Sequence, residues 1–173
     1  KKYPLLIAES PWRVNEWLVP ETCGAYVAVT TRAGWWEGMD QINENILGAY
    51  NHMIQKPNID VRRVYACVVS AETRYFNQML TNTPGLWKGV IMLQGTDYPD
   101  FSSVPPFQSK PRIMITAGGR EHKEDSLKKY QQDALNHGVV VEYFIHPDDA
   151  HVILGNGSRM DRAKESMHFI FEE

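Results

Sequence analysis

Cysteine is scarce in this sequence: two residues, Cys23 and Cys67, in 173. That is too few for a disulfide framework, and Cys67 lies inside an apolar run, where a small buried thiol is the usual state. No apolar run reaches the roughly 18–20 residues that cross a bilayer. The apolar part of the opening KKYPLLIAES is too short for a signal peptide. Charge of neither sign forms a block: 18 Lys plus Arg stand against 21 Asp plus Glu, interspersed, for a net charge of −3. No surface is therefore built to neutralise phosphates or anionic lipid, and neither nucleic acid nor a membrane is expected as a partner. The glycine-bearing loops TRAG, TAGG and GNGS lack the G-x-G-x-x-G and P-loop spacings, so no nucleotide cofactor is expected. Internal repeats and low-complexity segments are absent too. The compartment stays open, since the triplet Asn156–Ser158 would be a glycosylation site only in a secreted eukaryotic chain.

What is present is a hydrophobic content of 43%, enough for one sizeable core in a single domain over residues 1–173. Strand-length apolar runs recur at Leu5–Ala8, Tyr26–Thr30, Val64–Val69, Gly89–Leu93, Arg112–Thr116 and Val139–Ile145, each bounded by Gly, Pro or polar residues. Met39, Ile42, Ile46, Tyr50 and Met53 follow helical spacing, as do Leu127, Tyr130 and Ala134. Met160, Ala163, Met167 and Ile170 form the apolar face of a closing helix over Arg159–Phe171. Helices alternating with nearly continuously apolar strands predict an α/β fold, a three-layer α/β/α sandwich around a mostly parallel sheet of about six strands. Asp97–Lys110, rich in proline, reads as a long loop between two of the strands.

In an open parallel sheet, loops converge at the carboxyl ends of the strands, and chemistry collects there. Three such ends carry residues suited to nucleophilic catalysis: Ser70 after the third run, Glu121 after the fifth and His151 after the sixth. Each has an ordinary structural alternative. Serine favours helix N-caps, an acid favours the first turn of a helix, and Asp148 or Asp149 could satisfy His151 locally. Glu124 and Asp125 compete with Glu121 for the acid position, and His52, His122, His137, His146 and His168 show that histidine is not scarce. Trp35 and Trp36, after the second run, could grip a substrate or a neighbouring domain, or close the core.

The chain order Ser, acid, His is that of α/β-hydrolases, and the similarity runs through nearly the whole chain. KKYPLLI resembles the strand entering the core in the prolyl-oligopeptidase and related esterase families. PNIDVRRVYACVVSA resembles their approach to the nucleophile elbow, and LWKGVIMLQG the strand after it. KPRIMITAGGRE is similar to the strand ending at the acid, and KKYQQDALNHGVVVEYFIHPDDAH to the helix and strand that deliver the histidine. The resemblance implies a serine hydrolase of esterase or peptidase type acting on a small-molecule ester or peptide, with no cofactor and no metal. Ser70 would be the nucleophile, His151 the general base and later acid, and Glu121, third after Gly118, the orienting carboxylate. The Ala71 backbone N–H would be one oxyanion donor, with Ser10 near the position of the second.

The sequence departs from the family in three respects. The G-x-S-x-G elbow reads Val68-Val69-Ser70-Ala71-Glu72, without either glycine. Ser10 and Pro11 stand where relatives carry a His-Gly-Gly-like turn, and proline has no N–H to donate. The antiparallel hairpin that usually precedes the first core strand is missing, so the chain is expected to be the C-terminal part of a longer protein, with an N-terminal domain or a partner chain against its sheet edge. These departures favour, as the alternative reading, a catalytically inactive hydrolase-like binding module. A third reading rests on HPDD at His146–Asp149, which resembles the metal-binding segment of zinc-dependent N-acetylglucosaminyl deacetylases.

Overall fold

A computed structural model describes residues 1–9, 25–30, 39–70, 85–95, 111–121, 123–151 and 156–171, together with Thr73, Leu80 and Thr83. Among the described residues six strands make one sheet: β1 (Tyr3–Glu9), β2 (Tyr26–Thr30), β3 (Ile59–Val69), β4 (Gly89–Leu93), β5 (Arg112–Gly118) and β6 (Val140–His146). Three helices are described, α1 (Met39–Met53), α2 (Glu124–Asn136) and α3 (Asn156–Phe171). The strand order is β2-β1-β3-β4-β5-β6, and every pairing is parallel.

The strands are apolar on both sides because both sides are covered. Side chains alternate along a strand with a period of two, and the buried residues divide accordingly. Leu5, Ile7, Val64, Ala66, Val68, Val90, Met92, Ile113 and Ile115 share one cluster with Ile46 of α1 and Leu127 and Ala134 of α2. Their neighbours Leu6, Ala8, Tyr65, Cys67, Ile91, Leu93 and Met114 form the other, with Ala163, Phe169 and Ile170 of α3. The result is the expected α/β/α sandwich. The Tyr65 hydroxyl, buried under α3, donates to the Ile170 carbonyl at 3.0 Å, so the one polar atom of that large side chain is satisfied.

Strand β3 starts five residues before the apolar run that marks it in the sequence. Tyr3 pairs with Ile59 and Leu5 with Val64, so β3 carries extra residues against β1 at this point. The irregular stretch is held by Asp60, whose carboxylate accepts from the Arg62 N–H at 3.1 Å and from Arg63 Nε at 3.0 Å. Charged residues hide this part of the strand from a hydrophobicity reading, and regular pairing with β1 resumes at Val64.

Chain order and sheet order diverge beside β1: β2 lies on one side of it and β3 on the other, after which the chain proceeds outward through β4, β5 and β6. The carboxyl end of β3 is therefore at a topological switch point, where loops leave in opposite directions and open a crevice. No described helix is long and apolar enough to cross a membrane.

Candidate active site

Ser70 is the residue immediately after β3, and its φ of 57° lies in the left-handed region that a serine rarely occupies. Such a conformation costs on the order of 1–2 kcal/mol for an L-residue and persists only where neighbours enforce it. One such neighbour is Thr73, fully buried, whose hydroxyl donates to the Ser70 carbonyl at 2.8 Å. The turn lifts the Ser70 hydroxyl to the end of the sheet. There it lies 2.7 Å from His151 Nε2.

His151 follows β6 by five residues, and the short loop that carries it is anchored from several sides. Asp149, 1% exposed, pairs with the fully buried Arg162 of α3 at 2.8 Å, and Arg162 also donates to Thr116 Oγ1 of β5 at 2.9 Å. Burial pulls the Arg162 pKa down from its usual value, while the Asp149 carboxylate opposes that shift. Gln94, the residue after β4, donates its side-chain N–H to the Ala150 carbonyl at 2.7 Å. Gln94 is itself held at a φ of 52°, with its backbone N–H on the Thr116 carbonyl at 2.8 Å. Two non-glycine residues in the left-handed region thus end adjacent strands, one carrying the hydroxyl and one supporting the histidine loop.

Glu121 closes a short 3-10 turn, Gly119–Glu121, directly after β5. Its Oε1 accepts from His151 Nδ1 at 3.0 Å and its Oε2 from the Gly118 N–H at 3.3 Å. Because Nδ1 carries the proton shared with the carboxylate, Nε2 of a neutral imidazole is the acceptor, and the Ser70 hydroxyl is its donor. Lys123 adds a further contact on Oε1, at 3.1 Å. Burial raises the Glu121 pKa, but the hydrogen bonds from His151, Lys123 and Gly118 outweigh it and hold the carboxyl below its ordinary range.

The loops of Glu121 and His151 approach closely because Gly118 and Gly119 have no side chains. A Cβ on Gly118 would overlap the carbonyl oxygens of Ala150 and Asp149, and one on Gly119 would lie 2.7 Å from Pro147 Cα. The Arg120 N–H then reaches the Asp149 carbonyl at 3.0 Å and ties the loops together. TAGG therefore serves close packing of the two loops.

The structure thus brings Ser70, His151 and Glu121 into one hydrogen-bonded row, with His151 43% exposed and open to solvent. The rival acids stand apart from it: Glu124 is exposed and paired with Lys128 at 2.7 Å, and Asp125 is exposed. Ala71, Ser10, Pro11, Trp35 and Trp36 lie outside the described residues. In HPDD, His146 Nε2 faces Glu165 at 3.2 Å while Asp149 is taken up by Arg162, and among the described residues no three His, Cys, Asp or Glu side chains are grouped to hold a metal ion. Sequence reading misses Thr73, Gln94, Lys123 and the Arg162–Asp149 pair: Gln94 and Arg162 act across elements distant in the chain, and for Thr73 and Lys123 residue type and spacing do not show which atoms the side chain meets. A cavity of about 440 Å³ adjoins the Glu121 turn, lined by Gly118, Gly119, Lys123, Ile145 and Pro147 among others.

No protein-family model matches the sequence, and no curated protein matches it. Solved structures do. A carboxylesterase from Mesorhizobium loti superposes with a TM-score of 0.70 at 14% identity, over 100% of this chain and 90% of that one. Est1E from Butyrivibrio proteoclasticus gives 0.71 at 11% identity, over 99% and 90%. A hormone-sensitive lipase from a metagenome library gives 0.68 at 17%, over 97% and 77%. The fold is accordingly the α/β-hydrolase fold, the architecture that the family resemblance implies.

Proposed function

We propose that this protein is a serine hydrolase of the esterase or peptidase type, related to the prolyl-oligopeptidase and esterase branch of the fold, and that it transfers an acyl group from a small carboxylic ester or peptide to water. The observation that carries the reading is the continuous row from Ser70 through His151 to Glu121 at the switch point of a parallel sheet. Esters come first as substrates because the similar structures are named as esterases and a lipase.

In this reading the Ser70 oxygen attacks the substrate carbonyl carbon as its proton passes to His151 Nε2. Glu121 holds the ring through Nδ1 and stabilises the imidazolium that forms. Collapse of the tetrahedral intermediate breaks the bond to the leaving alcohol or amine, which takes the proton from Nε2. Water then repeats the sequence on the acyl-enzyme, releasing the acid and restoring the Ser70 hydroxyl. The N–H of Ala71, the residue after Ser70, is our candidate for one oxyanion donor, and the segment that contains Ser10 for the other.

A second reading keeps the fold and discards the chemistry, and the specific observation behind it is Val68 and Glu72 in place of both elbow glycines, with Pro11 near the second donor position. The left-handed conformation of Ser70 weighs against it, since strain of that kind has no evident use in a passive module. A metal-dependent deacetylase is disfavoured by the engagement of Asp149 with Arg162 and of His151 with Ser70 and Glu121. A fluorophosphonate probe discriminates: it should label the protein at Ser70, and Ser70→Ala should abolish labelling. A natively folded protein that resists the probe is the inactive module.

A further inference from the structure

We propose that Lys123 is a positioning residue of this site, which clamps Glu121 to the end of β4 and offsets part of the carboxylate's pull on the His151 imidazolium; the inference rests on the hydrolase reading for its catalytic meaning. The Lys123 ammonium makes two contacts of equal length, 3.1 Å to Glu121 Oε1 and 3.1 Å to the Gly95 carbonyl. The first is to the same oxygen that accepts from His151 Nδ1 at 3.0 Å. An incidental surface pair would leave its cation in water. Here the Lys123 side chain is 26% exposed and that of Glu121 only 12%, and the second contact reaches beyond the acid to another strand end, two residues past β4.

Sharing one oxygen has an electrostatic consequence. When His151 takes a proton, the new positive charge must coexist with an ammonium on the same carboxylate oxygen, so Lys123 makes the imidazolium less favourable than Glu121 alone would. The free imidazole is the form able to accept the Ser70 proton. Among the described residues, Lys123 is the cation in contact with the Glu121 carboxylate, and Arg162 reaches that carboxylate through space, across its own pairing with Asp149. Arg162 of α3 is neutralised by Asp149 at 2.8 Å, His146 of β6 faces Glu165, Glu124 of α2 is engaged with Lys128, and Arg120 and Asp125 are exposed. Gln94 and Gly95, the residues that follow β4, bring no charge to the pair.

The test reads His151 directly, independently of turnover. With the histidine ring carbons labelled and the His151 signal assigned by its loss in His151→Gln, the ring is titrated by NMR in the unaltered protein, Lys123→Met, Lys123→Gln and Lys123→Arg. Removing one partly screened charge about two contacts away should raise the titration midpoint in the Met and Gln variants by about 0.5–1 pH unit at low salt. Arginine should restore most of the original value, and the acid limb of ester hydrolysis should move in step. Midpoints unchanged in natively folded Met and Gln variants overturn the proposal, as does loss of fold in both, which would make Lys123 a structural residue. Failure of the fluorophosphonate probe to label Ser70 would instead end the hydrolase reading and leave this titration standing.

Discussion

Gly118→Ala puts one methyl group at the contact on which the row of three residues depends. The new Cβ would stand 2.5 Å from the Asp149 carbonyl oxygen and closer still to that of Ala150, whereas ordinary contact begins at 3.4 Å. Both obstacles are backbone atoms, and no side-chain rotation relieves them. The turn after β5 and the loop after β6 must part by about 1 Å, at an overpacking cost of about 1–3 kcal/mol. His151 is bonded directly to Ala150, so the displacement falls between Nδ1 and Glu121 Oε1, now 3.0 Å apart, and between Nε2 and Ser70 Oγ, now 2.7 Å apart. A misplacement of about 1 Å at reacting groups costs on the order of 100-fold in rate. Hydrolysis of a p-nitrophenyl ester should therefore fall about 100-fold in kcat/KM, and urea unfolding should show the stability loss separately. A variant within about 0.5 kcal/mol of the original stability, the spread of a neutral substitution, and with an unaltered rate would refute the close-approach account of Gly118.

Ser70→Gly and Ser70→Ala should both abolish probe labelling, but glycine relieves the left-handed backbone at φ 57° and alanine does not; urea unfolding should find the glycine variant more stable by about 1 kcal/mol, and equal stabilities would argue against strain at this position. Because the Glu121 carboxyl is held below its ordinary value of 4.5, it contributes stability that is fully present above that pH and is lost as the pH falls through the lower value of the folded state. Urea midpoints measured between pH 3 and 7 should accordingly show a steeper acid loss in the unaltered protein than in Glu121→Gln, and parallel profiles would count against the hydrogen-bonded carboxylate.

Much of the architecture is legible in the residues. Runs such as Val64–Val69 and Gly89–Leu93 are apolar at every position because α-helices cover both faces of the sheet, and that continuity is visible without coordinates. The start of β3 is not visible, since Ile59 pairs with Tyr3 ahead of an irregular stretch that carries Asp60, Arg62 and Arg63. Arg162 lies in the closing helix beside the apolar position Ala163, and nothing local in the sequence marks it as buried. It is fully buried, because Asp149 and Thr116 meet it beneath the histidine loop from positions 13 and 46 residues away.

The site divides in the same way. Ser70, Glu121 and His151 can be nominated from chain order, because strand ends are local features and a parallel sheet gathers its carboxyl ends on one rim. Choosing Glu121 over Glu124 or Asp125 requires the direction in which each side chain points. That direction is set by the 3-10 turn and by the fit of Gly118 and Gly119 against the histidine loop. The left-handed turn at Ser70, the support from Gln94 and the ammonium of Lys123 likewise belong to the tertiary structure alone. Local composition determines which segments become strands and helices, because burial periodicity is written into neighbouring residues; contacts of about 3 Å between loops 30 to 81 residues apart depend on how those elements pack.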